Sequence, residues 1–323
     1  MKQKIIGLVF IFSTLLKADQ FAFLLYNDFF AGTDKHFTSG VALSWLDDTY
    51  KLQEDSSRYA PLAKKLPFGN SLENCTAGLS IHQIIITPSD TDLKTPQYDD
   101  MPYTSYLGIS AYLFKWSKQS FHEYRVEAGV VGDEAGGEAV QNNFHKIIGS
   151  KKSEGWDTQL ATQYTLTLLY KYGEISWQKK SLNGLDMDWF NQAGFEAGNF
   201  STDVFGSSMF RIGKNYIQNF NVHYPYLKEE AALLKRDTKH KGFGWAASVG
   251  VNMDILAYSY ILQEAKDEGY DLDQNTLNAS VYAGIDLYYN VHRFTFFYQS
   301  QSPYSKQQNS LDTFGGFSYS FAF

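Results

Sequence analysis

The sequence predicts an all-β protein, a transmembrane antiparallel up-and-down β-barrel of about twelve strands with a short helix near the extracellular rim. Three observations predict it. The chain of 323 residues is 17% aromatic, with 23 Tyr and 25 Phe, the excess that two aromatic girdles at the membrane interfaces require. Strand-like stretches, many of about ten residues, alternate in polarity along the chain, as membrane barrel strands do. The last residues put Phe317, Tyr319, Phe321 and Phe323 at period two, with Ser318, Ser320 and Ala322 between them. One face of that final strand is aromatic and the other small or polar.

Composition excludes the rival classes. Mean hydropathy is −0.33, and no apolar run after the N-terminus approaches the ~18 residues of a membrane helix. A helix bundle in the membrane is therefore excluded, whereas a barrel exposes only alternate residues to lipid. Hydrophobic residues make up 44% and charged residues 20%, which is no disordered chain. The N-terminus begins with Lys2 and Lys4, continues with an apolar core over 5–16, and offers Ala18 as the last residue before cleavage. Residues 1–18 thus read as a signal peptide and 19–323 as a single barrel domain destined for the bacterial outer membrane. The formal charge of −7 becomes more negative once the leader's lysines are removed, so the chain has no claim on nucleic acid. Cys75 is the only cysteine, which rules out an internal disulfide and a cysteine-based metal cluster.

Strand-like stretches occupy 21–26, 37–46, 76–87, 103–114, 122–131, 159–172, 173–179, 204–212, 242–253, 277–289, 291–299 and 312–323. Tyr289-Asn290 is a tight-turn candidate. The connections 51–74, 88–102, 132–155, 219–241 and 263–275 are long and polar, and long loops are expected on the outer side. One segment reads as helix. Gly136-Gly137 precedes 138–148, and Gly149 follows as a natural stop. Val140, Phe144, Ile147 and Ile148 form one apolar stripe, a face that can pack on the barrel. Gln141 and His145 stand at i and i+4 on another face and can line a site together.

A second polar cluster runs from Tyr26 to Gly40. Asn27 and Asp28 supply hard oxygen donors that suit Ca²⁺, and Thr38 and Ser39 supply hydroxyls. Asn, Asp, Thr and Gly are also ordinary turn residues, so the cluster alone has a structural reading. His82 and His122 fall on strand-like stretches and read as wall residues. Lys228, Lys235, Arg236, Lys239 and Lys241 form a basic run that could bind phosphate or simply be solvated. No Gly-x-Ser-x-Gly elbow is present, which argues against a serine hydrolase.

Together these pieces resemble the outer-membrane lipid A 3′-O-deacylase family. The residues that carry the resemblance are Gly129-Val130-Val131-Gly132, Ala135-Gly136-Gly137-Glu138, Val140-Gln141-Asn142, His145-Lys146-Ile147-Ile148-Gly149 and Trp156. Asn27-Asp28, Phe37-Thr38-Ser39-Gly40, Gln83, Thr87-Pro88 and Pro102-Tyr103 match elsewhere. The resemblance implies a twelve-stranded barrel with its site near the outer rim, and calcium-dependent hydrolysis of the ester at the 3′ position of lipid A. It implies His145 as general base on water, Gln141 as a group orienting substrate or base, and Thr38 in the oxyanion or metal shell. Asn27 and Asp28 would hold Ca²⁺, and Lys94, Lys146 and Ser39 would touch the substrate. The family's glutamate a few residues after the histidine is Lys151 here, and Glu154 is the nearest acid. The implied partners are lipopolysaccharide, the bilayer and, through the C-terminal strand, the barrel assembly machinery. A non-enzymatic channel or interaction barrel, and a phospholipase using the same site, are the alternatives.

Overall fold

A computed structural model describes residues 18–31, 36–180, 184–218, 220, 241–308 and 310–322. Apart from Ala18, the expected signal peptide lies outside these residues, as do Phe323 and, from the basic run, Lys228, Lys235, Arg236 and Lys239. The strands are β1 (Ala18–Asn27), β2 (His36–Asp47), β3 (Tyr50–Lys51), β4 (Asn74–Thr87), β5 (Thr104–Trp116), β6 (Ser120–Val131) and β7 (Gln163–Lys179). They continue as β8 (Asp186–Gly198), β9 (Ser201–Lys214), β10 (Phe243–Ser259), β11 (Leu277–Tyr289), β12 (His292–Gln301) and β13 (Asp312–Ala322). Three α-helices interrupt them: α1 (Ala60–Ala63), α2 (Gly137–Ile148) and α3 (Tyr260–Asp267).

Every pairing is antiparallel. β3 is only a two-residue ladder on β4, and β2 pairs directly with β4. β1 pairs with β13 from Gln20 opposite Ala322 to Asn27 opposite Gly315. Twelve strands therefore close into a barrel without a free edge, so no open ladder meets the bilayer, as a membrane barrel requires.

The count of twelve conceals two misreadings that cancel. The stretches 159–172 and 173–179 are one strand, β7, running straight through Gly173. Gly173 is not a break. A Cβ there would come within 2.4 Å of the Phe121 ring, so the missing side chain makes room inside the wall. The missed strand is β8, whose Asp, Asn, Gln and Gly content hides its period. Asp188, Gln192 and Glu196 point inward and are buried, while Trp189 and Phe195 are exposed on the outer face. Polar residues mark the inside of a barrel strand, not a loop.

Both chain ends lie at one end of the barrel, here the terminal end; the other is the far end. The connection 48–73 follows β2 and 215–242 follows β9, two strands that run toward the terminal end. The connection 48–73 therefore sits on the terminal side, contrary to the expectation that all long connections lie outside, whereas 219–241 lies, Phe220 and Lys241 apart, outside the described residues. Loop length does not encode which way the preceding strand runs. Asn290 takes the left-handed turn between β11 and β12, with φ +52°, and its side chain accepts a hydrogen bond from Gly242 N at 2.9 Å.

The lumen is filled in two layers. At the far end Leu24, Tyr26, Ile84, Tyr106, Phe200 and Leu256 pack together, and Tyr106 stacks on Phe200 at 4.1 Å. Toward the terminal end Phe114, Phe121, Phe190, Met209 and Phe220 form a second layer. Phe220 comes from the connection after β9 and is fully buried. Three sets of charged groups inside the wall are ion-paired. Glu123 meets Lys171 at 2.6 Å and Arg125 at 2.7 Å, Asp188 meets Arg211 at 2.7 Å, and Asp286 meets Arg293 at 2.9 Å. Removing one member of such a buried set costs about 3–5 kcal/mol, because its partners keep their charge without compensation.

A candidate active site between the helix and the outer wall

The site begins as a row across the outer face of the far rim. Along β1, Ala22, Leu24 and Tyr26 are buried toward the lumen, so period two places Asn27 on the opposite, outer face. Register then aligns Asn27 with Ser39 of β2, Ser39 with Ile85 of β4, and Ile85 with Ser105 of β5. These outer-face positions would meet lipid on a bare barrel. Instead Asn27, Ile85, Thr87 and Ser105 are buried, and over Ile85 and Ser105 the cover is the connection 132–162, which folds back over the wall. Trp156 and Tyr103 pack on Ile85, and Gln83 donates from Nε2 to Ala135 O at 2.6 Å. Ser105 is pinned twice. Its hydroxyl donates to Gly132 O at 2.9 Å, and its carbonyl accepts from Gly132 N at 2.9 Å.

Helix α2 is the centre of this cover. Gly136 enters it with φ +72° and Gly149 ends it with φ +76°, both left-handed, which is why glycine stands at each end. Gly137 lies against the wall so closely that a Cβ would meet Ser105 Cβ at 2.3 Å. Gly137, Gln141 and His145, spaced by four, share the wall-facing side of the helix. The expected apolar contact is inverted: Val140, Phe144 and Ile147 are 42%, 38% and 81% exposed. At a membrane boundary an apolar stripe has no need to hide from water, and the polar face turns inward because it has partners there. Gln141 Oε1 accepts from Trp156 Nε1 at 2.8 Å.

Gln141 is 3% exposed, yet its Nε2 has no hydrogen-bond partner among the described residues, nor has the buried Ser153 hydroxyl. A buried donor without a partner costs about 1–3 kcal/mol, so Gln141 Nε2 is a donor that water or a ligand can complete. His145 stands one turn along. Its Nδ1 lies 2.6 Å from Lys151 O. A carbonyl only accepts, so Nδ1 carries the hydrogen and Nε2 presents a lone pair.

The flanking loop holds this geometry. Ser153 N donates to Asn142 Oδ1 at 3.2 Å, and Glu154 N donates to Thr91 O at 2.9 Å. Lys151 pairs with Asp92 at 2.8 Å, and that carboxylate holds its ammonium above the ordinary lysine range. Glu154 pairs with Lys94 at 3.4 Å; His145 accordingly meets a backbone carbonyl where a carboxylate was sought. Lys146 is exposed. Asp28 is buried in the short 3₁₀ turn that follows β1. Thr38 stands in β2 where the pairing with β4 shifts between Phe37 and Ser39, and its side chain lies outside the described residues. His82 and His122 are wall residues, as expected. His82 is buried on β4 and the His122 ring stacks on Phe68. Sequence reasoning assigned no role to Ser153 or Asp92, which carry no local signal, and quoted Trp156 without seeing that it orients Gln141.

The donor set at β1 agrees with a hard cation. Asn27 and Asp28 are adjacent, buried and oxygen-bearing. Among the described residues no three His, Cys, Asp or Glu side chains come together to hold a metal, so carbonyls, hydroxyls and water would complete any calcium shell.

A closed antiparallel twelve-stranded barrel with aromatic residues on its outer face defines the class of outer-membrane β-barrel proteins. The model of the family described as Outer membrane protein LpxR matches residues 5–323, and the chain belongs to that family, the one its sequence resembles. LpxR from Salmonella typhimurium has the same fold, with a TM-score of 0.75 at 17% identity over 94% of this chain and 100% of that one. The β domain of the Bordetella autotransporter BrkA aligns at a TM-score of 0.47 and 9% identity over 95% of this chain and 99% of that one. No curated protein matches the sequence.

Proposed function

We propose that this protein is an esterase of the outer membrane that hydrolyses the 3′-linked acyloxyacyl ester of lipid A. The observation that carries the proposal is the unpartnered Gln141 Nε2, buried beneath α2 one turn from His145. A channel has no use for a polar crevice on its outside, and side chains fill this lumen in two layers. The exposed Val140, Phe144 and Ile147 give acyl chains an apolar path to the crevice from the plane of the membrane.

In this reading Lys151 O fixes the imidazole, and His145 Nε2 takes a proton from water as that water attacks the ester carbonyl. Gln141 Nε2 donates to the oxygen on which negative charge develops. The same imidazole returns the proton to the departing sugar oxygen, leaving a free fatty acid and a 3′-hydroxyl. Asn27 and Asp28 would hold calcium, which when bound polarises the ester carbonyl. Ser39, Lys94 and Lys146 line or flank the approach and would contact the lipid A backbone. The outward aromatics Phe317, Tyr319 and Phe321 of β13 suit delivery by the barrel assembly machinery.

The test is mass spectrometry of lipid A from cells expressing wild type or His145→Ala, with membranes assayed in calcium and in chelator. Loss of the 3′-linked group with wild type in calcium, and its retention with the variant and the chelated sample, is the expected result. The variant should fall by about 10²–10⁴-fold with its barrel intact. Unchanged lipid A around a well-inserted wild type sinks the proposal, and release of glycerophospholipid chains instead would make the protein a phospholipase.

A further inference from the structure

The outer wall carries a second covered region at the opposite end of the same strands. The connection 48–73 folds back onto β4, β5 and β6 rather than hanging free. Asp47, at the end of β2, accepts from Arg58 Nη1 at 2.9 Å and also from the Tyr59 hydroxyl. Lys115 Nζ, on the outer face of β5, donates to Leu66 O at 2.8 Å, Phe68 O at 2.6 Å and Asn70 Oδ1 at 2.6 Å. The Tyr124 hydroxyl donates to Pro67 O. These clamps hold α1 over the wall as a roof, with Ala60, Ala63 and Leu113 buried beneath it.

Beside that roof lies a groove of about 610 Å³, a size within the range of small-molecule sites. Its floor is the outer wall, with Trp45, Leu79, Ala111 and Leu168, and its roof includes Leu62 and Leu66. Leu168 is 54% exposed and Leu62 57% exposed, so the groove opens sideways into the surface that faces hydrocarbon. Arg58 and Lys65 project from the roof segment. Lys65 is exposed and pairs with no acid among the described residues.

We infer that this groove holds one acyl chain of an anionic glycerophospholipid from the leaflet on the terminal side, with its phosphate near Lys65. Two observations select this occupant. The groove is continuous with the lipid-facing band, so hydrocarbon chains are its immediate surroundings. The roof segment carries as many acids as bases, but the Lys65 ammonium beside the groove-lining Leu66 is exposed and pairs with no acid among the described residues, so it is free to meet a phosphate. The site stands at the opposite end from the His145 crevice, so its ligand is a structural companion and not the substrate.

The experiment uses the full-length protein, reconstituted from equal amounts of phosphatidylglycerol and phosphatidylethanolamine, extracted into mild detergent and weighed by native mass spectrometry. One phosphatidylglycerol should remain bound per chain through washing. Ala111→Trp, which fills the floor, and Leu62→Glu, which places a charge at the exposed mouth, should each reduce retention by at least about tenfold, or ~1.4 kcal/mol. Lys65→Glu should abolish the preference for phosphatidylglycerol. Leu62 and Lys65 are exposed, so those variants keep the test alive if Ala111→Trp fails to insert. A wild type that washes free of phospholipid overturns the inference, as does equal retention by Leu62→Glu. A dimer that disappears in Leu62→Glu also overturns it, since a second copy would then be the occupant.

Discussion

Two connections cover the outside of this barrel over the same strands, and they treat polar groups in opposite ways. At the terminal end, 48–73 answers each polar group it buries: Asp47 has Arg58 and Tyr59, and the Lys115 ammonium has three carbonyls and an amide oxygen. At the far end, 132–162 leaves Gln141 Nε2 and the Ser153 hydroxyl buried without partners among the described residues, and it turns an apolar stripe outward. A cover that takes no part in chemistry completes its own hydrogen bonds. A cover that works on a ligand leaves donors for the ligand to complete, and accepts the cost in stability.

The sharpest way to break this contrast is Gln141→Glu. The carboxylate still accepts from Trp156 Nε1, so the helix stays seated, but the free donor is gone. Activity on lipid A should fall by about 10²–10³-fold with the thermal transition unmoved. Full activity would mean that the orphaned amide has no role in the reaction. The reciprocal change is Asp47→Ala at the other cover. It removes the acceptor shared by Arg58 and Tyr59, should lower stability by about 1–2 kcal/mol in denaturant titration, and should leave the deacylation rate alone. A lost rate there would show that the two covers are coupled.

The smallest effect concerns Lys151 and Asp92. The carboxylate raises the Lys151 pKa above its ordinary 10.5. A raised lysine pKa contributes stability that is fully present below 10.5 and is lost as pH rises through the higher folded value. Hydrogen exchange in 149–154 should therefore quicken in strongly alkaline solution, and Lys151→Met should remove that alkaline step. An unchanged step in the variant would assign it to another group.

Much of the barrel was legible because period two survives in the outer-face residues. Phe317, Tyr319 and Phe321 alternate with Ser318 and Ser320 in β13 as expected. β8 was illegible because its inner face is acidic and amidic, and a composition scan reads Asp188, Gln192 and Glu196 as loop. Helix α2 was legible in extent through its glycines, but not in orientation. The rule that apolar stripes turn inward assumes water outside, and here the outside is lipid. Gln141 and His145 could be paired from their spacing alone. What sat above and below them could not, since the row Asn27, Ser39, Ile85 and Ser105 exists only through register between strands far apart in sequence.

The filled lumen has a consequence for the cell that carries this protein. Tyr106 on Phe200 closes one level and Phe121, Phe190 and Phe220 another, so water and ions meet no continuous path among the described side chains. In the proposed reading the chemistry sits on the flank of the cylinder. A barrel filled in this way serves as a solid post, and a site mounted on its side would need no opening through the wall.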